Sequence, residues 1–255
     1  IDSKKIFAEL VEANDELTRN YNTNNVASTE TITLTGLTPS TSYVVEVAPV
    51  CPDGPVSFVG TGFMTSCEEI STFPYIESFE SGTLGCWTNE DVYHASSYDT
   101  ARWVATATMP IISAASPIDG SYMAFHQTAP NGSYNAASLV SPILDLTGLN
   151  NPYVSFHYCN LDYNTYVDSM SVWYRTSPSA DWTFLKHYDG VTTFAWSFDS
   201  LSLPNPTATY QIAFRATDYW GYGTVLDMIT VYDSDGAAPA TCDAPTGLAV
   251  NNPGQ

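Results

Sequence analysis

Short apolar runs separated by turn residues limit most strongly what this chain can fold into. Segments rich in Val, Ile, Thr, Tyr and Phe recur between clusters of Gly, Pro, Asn and Asp, which is typical of β-strands. In residues 153–158, Val154 and Phe156 would share one face of a strand, while the serine and histidine beside them would share the other. The clearest runs are residues 31–34, 42–50, 153–158, 170–175, 210–216 and 225–232. The sequence therefore predicts an all-β protein built as a sandwich.

The N-terminal segment is ambiguous. Its apolar residues, separated by Glu and Lys, fit a helical stripe at least as well as strands; they are Ile6, Phe7, Leu10, Val11 and Leu17. The sequence leaves the choice between helix and strand open.

Charge excludes two classes of partner. The chain has 7 Lys and Arg against 27 Asp and Glu, a net charge of -20. Such an anion repels nucleic acid and anionic membrane surfaces. No apolar stretch approaches the ~20 residues that span a bilayer. Charged residues make up only 13% of the chain and aromatic residues another 13%. This composition is typical of extracellular proteins.

Both ends of the chain resemble fibronectin type III domains. The N-terminal resemblance rests on Leu37, Pro39 and Thr41 ahead of Tyr43, followed by alternating Val45 and Val47. Tyr43 suits a tyrosine corner, in which a buried ring at the start of a strand bonds nearby backbone through its hydroxyl. At the other end, Pro245 and Leu248 resemble the opening strand of a further domain. We expect a partial domain at residues 1–67, a linker and first strand at 237–255, and a chain cut from something longer.

The region between them, residues 68–236, resembles the MAM domain and the related cleaved-adhesin domains of bacterial surface proteins. The resemblance rests on an ordered set of landmarks: Phe79-Glu80, Gly85-Cys86-Trp87, Trp103, Asp119-Gly120-Ser121-Tyr122, residues 137–142, 154–158, 171–174, 210–214 and 225–229. It implies a jelly-roll β-sandwich beside fibronectin III modules in a secreted or surface-anchored multidomain protein.

The five cysteines favour disulfides over metal binding, since no CxxC and no zinc-ligand spacing occurs. The family resemblance suggests a Cys86–Cys159 bond. Cys67 and Cys242 flank the central domain, and a bond between them is geometrically reasonable, because the first and last strands of a jelly roll can lie side by side. Pairing of Cys51 with Cys67, or buried thiols, are the open alternatives.

Related jelly rolls often carry a structural calcium ion where the first strand meets the last. The resemblance places Glu80, Asp119 and Asp227 at the matching positions. Asp227 interrupts the apolar run 225–229, where a charge is costly unless it is paired or coordinated. The alternative is that Asp227 faces solvent from the outer side of its strand. We therefore expect Ca²⁺ at these three residues.

Two loops carry candidate ligand-binding aromatics. Trp220 and Tyr222 are separated by a glycine in a predicted turn, and Tyr163 and Tyr166 lie in a second loop rich in amides and carboxylates. Flat rings of this kind stack on the C–H faces of sugars or on apolar groups of a protein partner. The alternative is ordinary loop packing, in which Trp220 covers the end of the core.

No catalytic motif is present: GxSxG, HExxH and phosphate-binding loops are all missing from the sequence. We expect a noncatalytic adhesion or recognition module, extracellular or on the cell surface, that binds glycans or host and matrix proteins. The alternative function is a structural spacer, accessory to a catalytic peptidase or glycoside hydrolase domain elsewhere in the parent protein.

Overall fold

The computed structural model describes residues 5–12, 21–23, 36–51, 54–55, 59–94, 102–109, 115–127 and 134–235. Within these ranges the secondary structure is entirely β, as predicted. The strands are β1 Lys5–Glu12, β2 Tyr21–Thr23, β3 Ser42–Cys51, β4 Gly54–Pro55, β5 Val59–Met64, β6 Tyr75–Glu77, β7 Thr88–His94, β8 Trp103–Thr106, β9 Met123–His126, β10 Asn135–Val140, β11 Pro152–Leu161, β12 Ser169–Arg175, β13 Thr183–Tyr188, β14 Ser197–Ser202, β15 Gln211–Asp218 and β16 Gly223–Asp233. A helix able to cross a bilayer does not occur in these ranges.

The chain divides into two compact units, residues 1–68 and 69–255. The first contains one sheet in the order β2-β1-β3-β4, with β5 also paired to β3. The ambiguous N-terminal segment is therefore a strand from Lys5 to Glu12. The predicted run at 31–34 lies outside the described residues.

Tyr43 forms the predicted tyrosine corner. Its side chain is 3% exposed at the start of β3, and its hydroxyl accepts a hydrogen bond from the Thr38 N–H at 2.9 Å. This confirms the local geometry expected from the sequence. Assignment of the unit to the fibronectin type III family stays a prediction, and residues 237–255 lie outside the described ranges.

The second unit is a jelly-roll β-sandwich of two antiparallel sheets. We call the sheet ordered β13-β12-β15-β10-β7 the front sheet. The back sheet has the order β14-β11-β16-β9-β8, and β6 also pairs with β16. Apart from the pairs β12–β13 and β8–β9, neighbouring strands in each sheet are distant in sequence, so residues far apart along the chain meet on one face.

Aromatic and aliphatic side chains from both sheets fill the space between them. Phe156 of the back sheet meets Phe214 of the front sheet edge to face, with ring centroids 4.8 Å apart. Trp87 adds a third ring, 6.1 Å from Phe214. Val154 and Phe156 are both fully buried in this core, which confirms the alternation predicted for this strand.

The expected Cys86–Cys159 disulfide is wrong. Cys159 is a free, buried thiol, and it packs in a second apolar cluster that includes Met109, Phe125 and Val225. Because it lies on the face of β11 opposite Phe156, it is separated by the sheet from the main core. Cys67 and Cys86 are each disulfide-bonded. The Cys67–Cys242 bond stays a prediction, since Cys242 lies outside the described residues.

Candidate functional site

The four predicted aromatic residues meet at one end of the sandwich, in the loops that join β11 to β12 and β15 to β16. Tyr163 and Tyr166 lie parallel with centroids 6.5 Å apart. Tyr166 contacts Trp220 at 5.4 Å, and Tyr163 contacts the edge of Tyr222 at 5.1 Å. Tyr163 and Trp220 are exposed, whereas Tyr222 packs against the second apolar cluster. Tyr222 therefore supports the rings above it.

Three further tyrosines that sequence reasoning missed extend this surface. Tyr219 contacts Tyr166 at 5.9 Å, Tyr134 contacts Tyr219 at 6.2 Å, and Tyr93 on β7 contacts Tyr134 at 5.6 Å. Each of the three is about half exposed. We call the continuous set the aromatic strip: Trp220, Tyr163, Tyr166, Tyr219, Tyr134 and Tyr93. Only Tyr219 carried a sequence signal, as the neighbour of Trp220.

A buried carboxylate holds the 219–222 loop in place. Asp168 is fully buried, and its Oδ1 accepts hydrogen bonds from the N–H groups of Tyr219 at 2.9 Å and Gly221 at 3.0 Å. Its Oδ2 accepts a third from Gly223 at 2.7 Å. A Cβ added at Gly221 would lie 2.2 Å from Asp168 Oδ2, so glycine is required for this close approach. Three backbone N–H groups of this loop thus bind one carboxylate, which fixes the position of Tyr219 and Trp220.

The electrostatics of this carboxylate follow from its burial. Loss of water raises the pKa of Asp168, and the three N–H donors, together with a hydrogen bond to Asp218, oppose the rise. Asp162 ties in the neighbouring loop, because its Oδ1 accepts the Asp168 N–H at 3.0 Å. Asp162 therefore holds the loop that carries Tyr163 and Tyr166, and Asp168 holds the loop that carries Trp220.

The three predicted calcium ligands surround a second loop, residues 118–122. Glu80 accepts hydrogen bonds from the N–H groups of Ser121 and Tyr122, each at 2.8 Å. Gly120 has φ +58°, and a Cβ there would lie 2.2 Å from the Glu80 carboxyl carbon. The carboxylate of Glu80 thus binds the backbone of the loop from one side.

Asp227 holds the other side of this loop. Its side chain is fully buried, so it does not face solvent. Its Oδ2 accepts hydrogen bonds from Ile118 N–H at 2.8 Å and Asp119 N–H at 3.2 Å, while its Oδ1 accepts one from Met228 at 2.7 Å. Met228 adopts φ 51° at a β-bulge opposite β11. Burial and, to a smaller degree, the charge of Asp119 raise the pKa of Asp227 to about 6.

These acids do not by themselves make a metal centre. Across the described ranges, no three His, Cys, Asp or Glu side chains converge to hold a metal ion. The carboxylate oxygens of Glu80 and Asp227 face backbone N–H groups instead. Calcium binding at Glu80, Asp119 and Asp227 stays a prediction.

The raised pKa of Asp227 predicts a pH dependence of stability. Between about pH 4 and pH 6 the folded protein holds a proton that the unfolded chain has lost, so the free energy of unfolding falls as pH rises through this window. The rise of the Asp227 pKa from its ordinary value of 3.8 to about 6 corresponds to a change in the free energy of unfolding on the order of 3 kcal/mol. Urea denaturation in calcium-free buffer at pH 4, 5, 6 and 7 measures this fall, which we expect to be smaller in Asp227→Asn. Parallel pH profiles for the two proteins would contradict the assignment.

Residues 78–236, more than half of the chain, match the family model of the MAM domain, meprin/A5/mu. No curated protein matches the chain in sequence. Among solved structures, the K1 cleaved adhesin domain of Lys-gingipain from Porphyromonas gingivalis W83 is 20% identical, with 64% of this chain and 99% of that chain covered and a TM-score of 0.47. The K3 domain of the same protein is 18% identical, with 62% of this chain and 98% of that chain covered and a TM-score of 0.47. TmCBM61, solved in complex with β-1,4-galactotriose, is 9% identical, with 61% of this chain and 94% of that chain covered and a TM-score of 0.42.

Proposed function

The chain belongs to the MAM domain family, meprin/A5/mu, and on that premise we propose that it is a noncatalytic recognition module that binds glycans through the aromatic strip. The observation that carries the proposal is the strip itself, in which neighbouring rings contact one another from Tyr163 to Tyr93 and the 219–222 loop is held by the buried carboxylate of Asp168. Fixed rings lose little conformational entropy on binding.

The chemistry of the strip suits a sugar. Exposed ring faces offer apolar contact to the C–H groups of a pyranose, and tyrosine hydroxyls at the ring edges donate and accept hydrogen bonds. About half of each ring is open to a ligand, while the other half packs on the protein. The exposed fractions lie between 42% and 50% for Trp220, Tyr163, Tyr219, Tyr134 and Tyr93. An apolar surface of a host or matrix protein is the second kind of ligand that such rings accept.

Secretion is part of the proposal. Two cysteines in the described ranges, Cys67 and Cys86, are disulfide-bonded. Disulfides of this structural kind persist in oxidising compartments. A protein exported from the cell or held at its surface meets both the redox condition and extracellular glycans.

Replacing Trp220 with alanine tests glycan binding. We expect the variant to fold and to lose at least tenfold in affinity for any glycan that the native protein captures on an array. A few large aromatic side chains supply most of the binding energy of such a site. The matched control is Phe198→Ala, an aromatic residue 57% exposed on β14 of the back sheet. Equal loss in both variants, or none in Trp220→Ala, would contradict binding by the aromatic strip, and capture of no glycan at all would favour a structural spacer accessory to a catalytic domain outside this sequence.

Calcium stabilisation is also proposed. Asp227 is a buried carboxylate close enough to Asp119 for their charges to repel, and carboxylate oxygens are the ligands that calcium prefers. We expect millimolar Ca²⁺ to raise the Tm of the native protein by several degrees, and Asp227→Asn together with Glu80→Gln to remove the increase. Asp181→Asn, a change at an exposed acid, is the control. A Tm that is indifferent to both chelation and these substitutions would contradict calcium binding.

A further inference from the structure

The outward face of the front sheet carries one row of polar side chains that crosses all five strands. Backbone pairing places Glu90 beside Ser138, Ser138 beside Arg215, Arg215 beside Ser171, and Ser171 beside His187. Alternate residues of these strands lie in the core; among them are Leu139, Met170, Val172, Phe214 and Ala216. Because side chains alternate between faces, the row points away from the core. Arg215 stands at its centre, on the middle strand.

Arg215 is held in a defined orientation. Its guanidinium carbon lies 4.4 Å above the ring of Trp173, and its Nε donates to Ser138 Oγ at 3.3 Å. Trp173 is fixed in turn, because its Nε1 donates to Ser171 Oγ at 2.8 Å. Phe184 lies against Trp173 at 5.3 Å and is 51% exposed. Trp173 therefore contacts both the guanidinium of Arg215 and the exposed ring of Phe184, which is about the size of a sugar.

Arg215 makes no direct ion pair within the described residues. Its neighbour Arg175 pairs with Glu90 at 3.6 Å, and Lys186 pairs with Asp199 at 2.6 Å. In the part of the chain that the structure describes, no carboxylate lies within ion-pair distance of Arg215, and its two terminal nitrogens make no hydrogen bond. Partial burial lowers the pKa of Arg215, and the more distant charge of Glu90 partly opposes this fall. The terminal N–H donors of a partly buried guanidinium are therefore left to bind a ligand.

The terminal guanidinium nitrogens match a carboxylate. Arginine presents parallel N–H donors that bind the two oxygens of a carboxylate together, with fixed geometry. Repulsion from the chain's net charge of -20 is screened beyond about 8 Å at physiological ionic strength, so it does not prevent a carboxylate from binding next to Arg215. We propose that the outward face of the front sheet is a subsite for a carboxylated sugar, in which Arg215 binds the carboxylate and Phe184 packs on the sugar ring.

This subsite adjoins the aromatic strip. Tyr93, the last ring of the strip, shares a row with Ala136 and Thr217, and Thr217 is two residues from Arg215 along β15. Rows on one face of a strand are separated by about 7 Å. The inference rests on the proposed glycan-binding function and names the class of glycan, an acidic oligosaccharide long enough to reach from the strip to Arg215.

Acidic oligosaccharides paired with their methyl esters test the subsite, because each pair differs only in charge. The probes are oligogalacturonate, a hyaluronan tetrasaccharide and sialyllactose, titrated in 0.15 M salt into the native protein, Arg215→Gln, Arg215→Lys and the exposed control Arg102→Gln. We expect at least one acid to bind tenfold more tightly than its ester. Arg215→Gln should reduce this preference to less than twofold, Arg215→Lys should retain part of it, and Arg102→Gln should leave it unchanged.

Two results overturn the subsite, and neither decides the glycan-binding proposal. One is that no acid binds more tightly than its ester; the other is that Arg215→Gln keeps the preference. Trp220→Ala, run with the same probes, separates the two proposals. If it leaves acid binding intact while Arg215→Gln abolishes it, the subsite stands and binding by the aromatic strip is wrong.

Discussion

Replacing Asp168 with alanine will destabilise the protein and abolish glycan binding together. The change leaves three backbone N–H groups of residues 219, 221 and 223 without their acceptor, and each unsatisfied buried donor costs ~1–3 kcal/mol. We expect the free energy of unfolding to fall by about 3 kcal/mol or more. Denaturant titration measures the loss, and a glycan titration of the fraction that remains folded measures binding.

Two controls make this result specific. Asp168→Asn keeps one carbonyl oxygen as an acceptor in the same place and should lose less stability than the alanine variant. Asp181→Ala removes an exposed acid from the same sandwich and should change stability by less than about 0.5 kcal/mol. An alanine variant at Asp168 that is as stable as the native protein would show that the loop does not depend on this carboxylate.

Replacing Phe214 with alanine will open a cavity at the centre of the sandwich. Phe214 is fully buried and contacts Phe156 of the facing sheet and Trp87, which directly precedes β7. Loss of a buried phenylalanine side chain costs ~3–5 kcal/mol, since the surrounding side chains relax only partly. Thermal or denaturant unfolding measures the effect. Phe198→Ala, at an exposed ring, should cost less than about 1 kcal/mol, and similar losses in the two variants would mean that the core is not where the structure places it.

Alternation along the chain was enough to predict β3, β11, β12, β15 and β16, because burial of one face imposes a period of two on the sequence. Val154 and Phe156 show this directly. Most of the shorter strands were not predicted. The tyrosine corner at Tyr43 was equally local, since its partner Thr38 is only five residues away. The N-terminal strand was ambiguous because its apolar spacing fits both periods.

Contacts between distant segments could not be predicted in the same way. The strands β7, β10 and β15 are neighbours in the front sheet, and this pairing brings together Tyr93, Tyr134 and Tyr219. The spacing of these residues in the sequence does not predict the contact. Asp168 is one of 27 acids, and its role depends on donors more than fifty residues away. Cys159 was assigned a disulfide by resemblance, whereas its strand register turns it toward the second apolar cluster.

Tryptophan indole resonances offer the most direct test of glycan binding by the aromatic strip. Five of the six indole N–H groups donate to protein oxygens: those of Trp87, Trp103, Trp173, Trp182 and Trp196. Within the described residues, the indole N–H of Trp220 has no such acceptor, and its ring is 45% exposed. In a ¹⁵N–¹H spectrum recorded during titration with a neutral glycan captured by the native protein, the Trp220 signal should move with ligand concentration while those of Trp87 and Trp103 stay fixed. A saturable titration that shifts other residues and leaves Trp220 unmoved would contradict the proposed site.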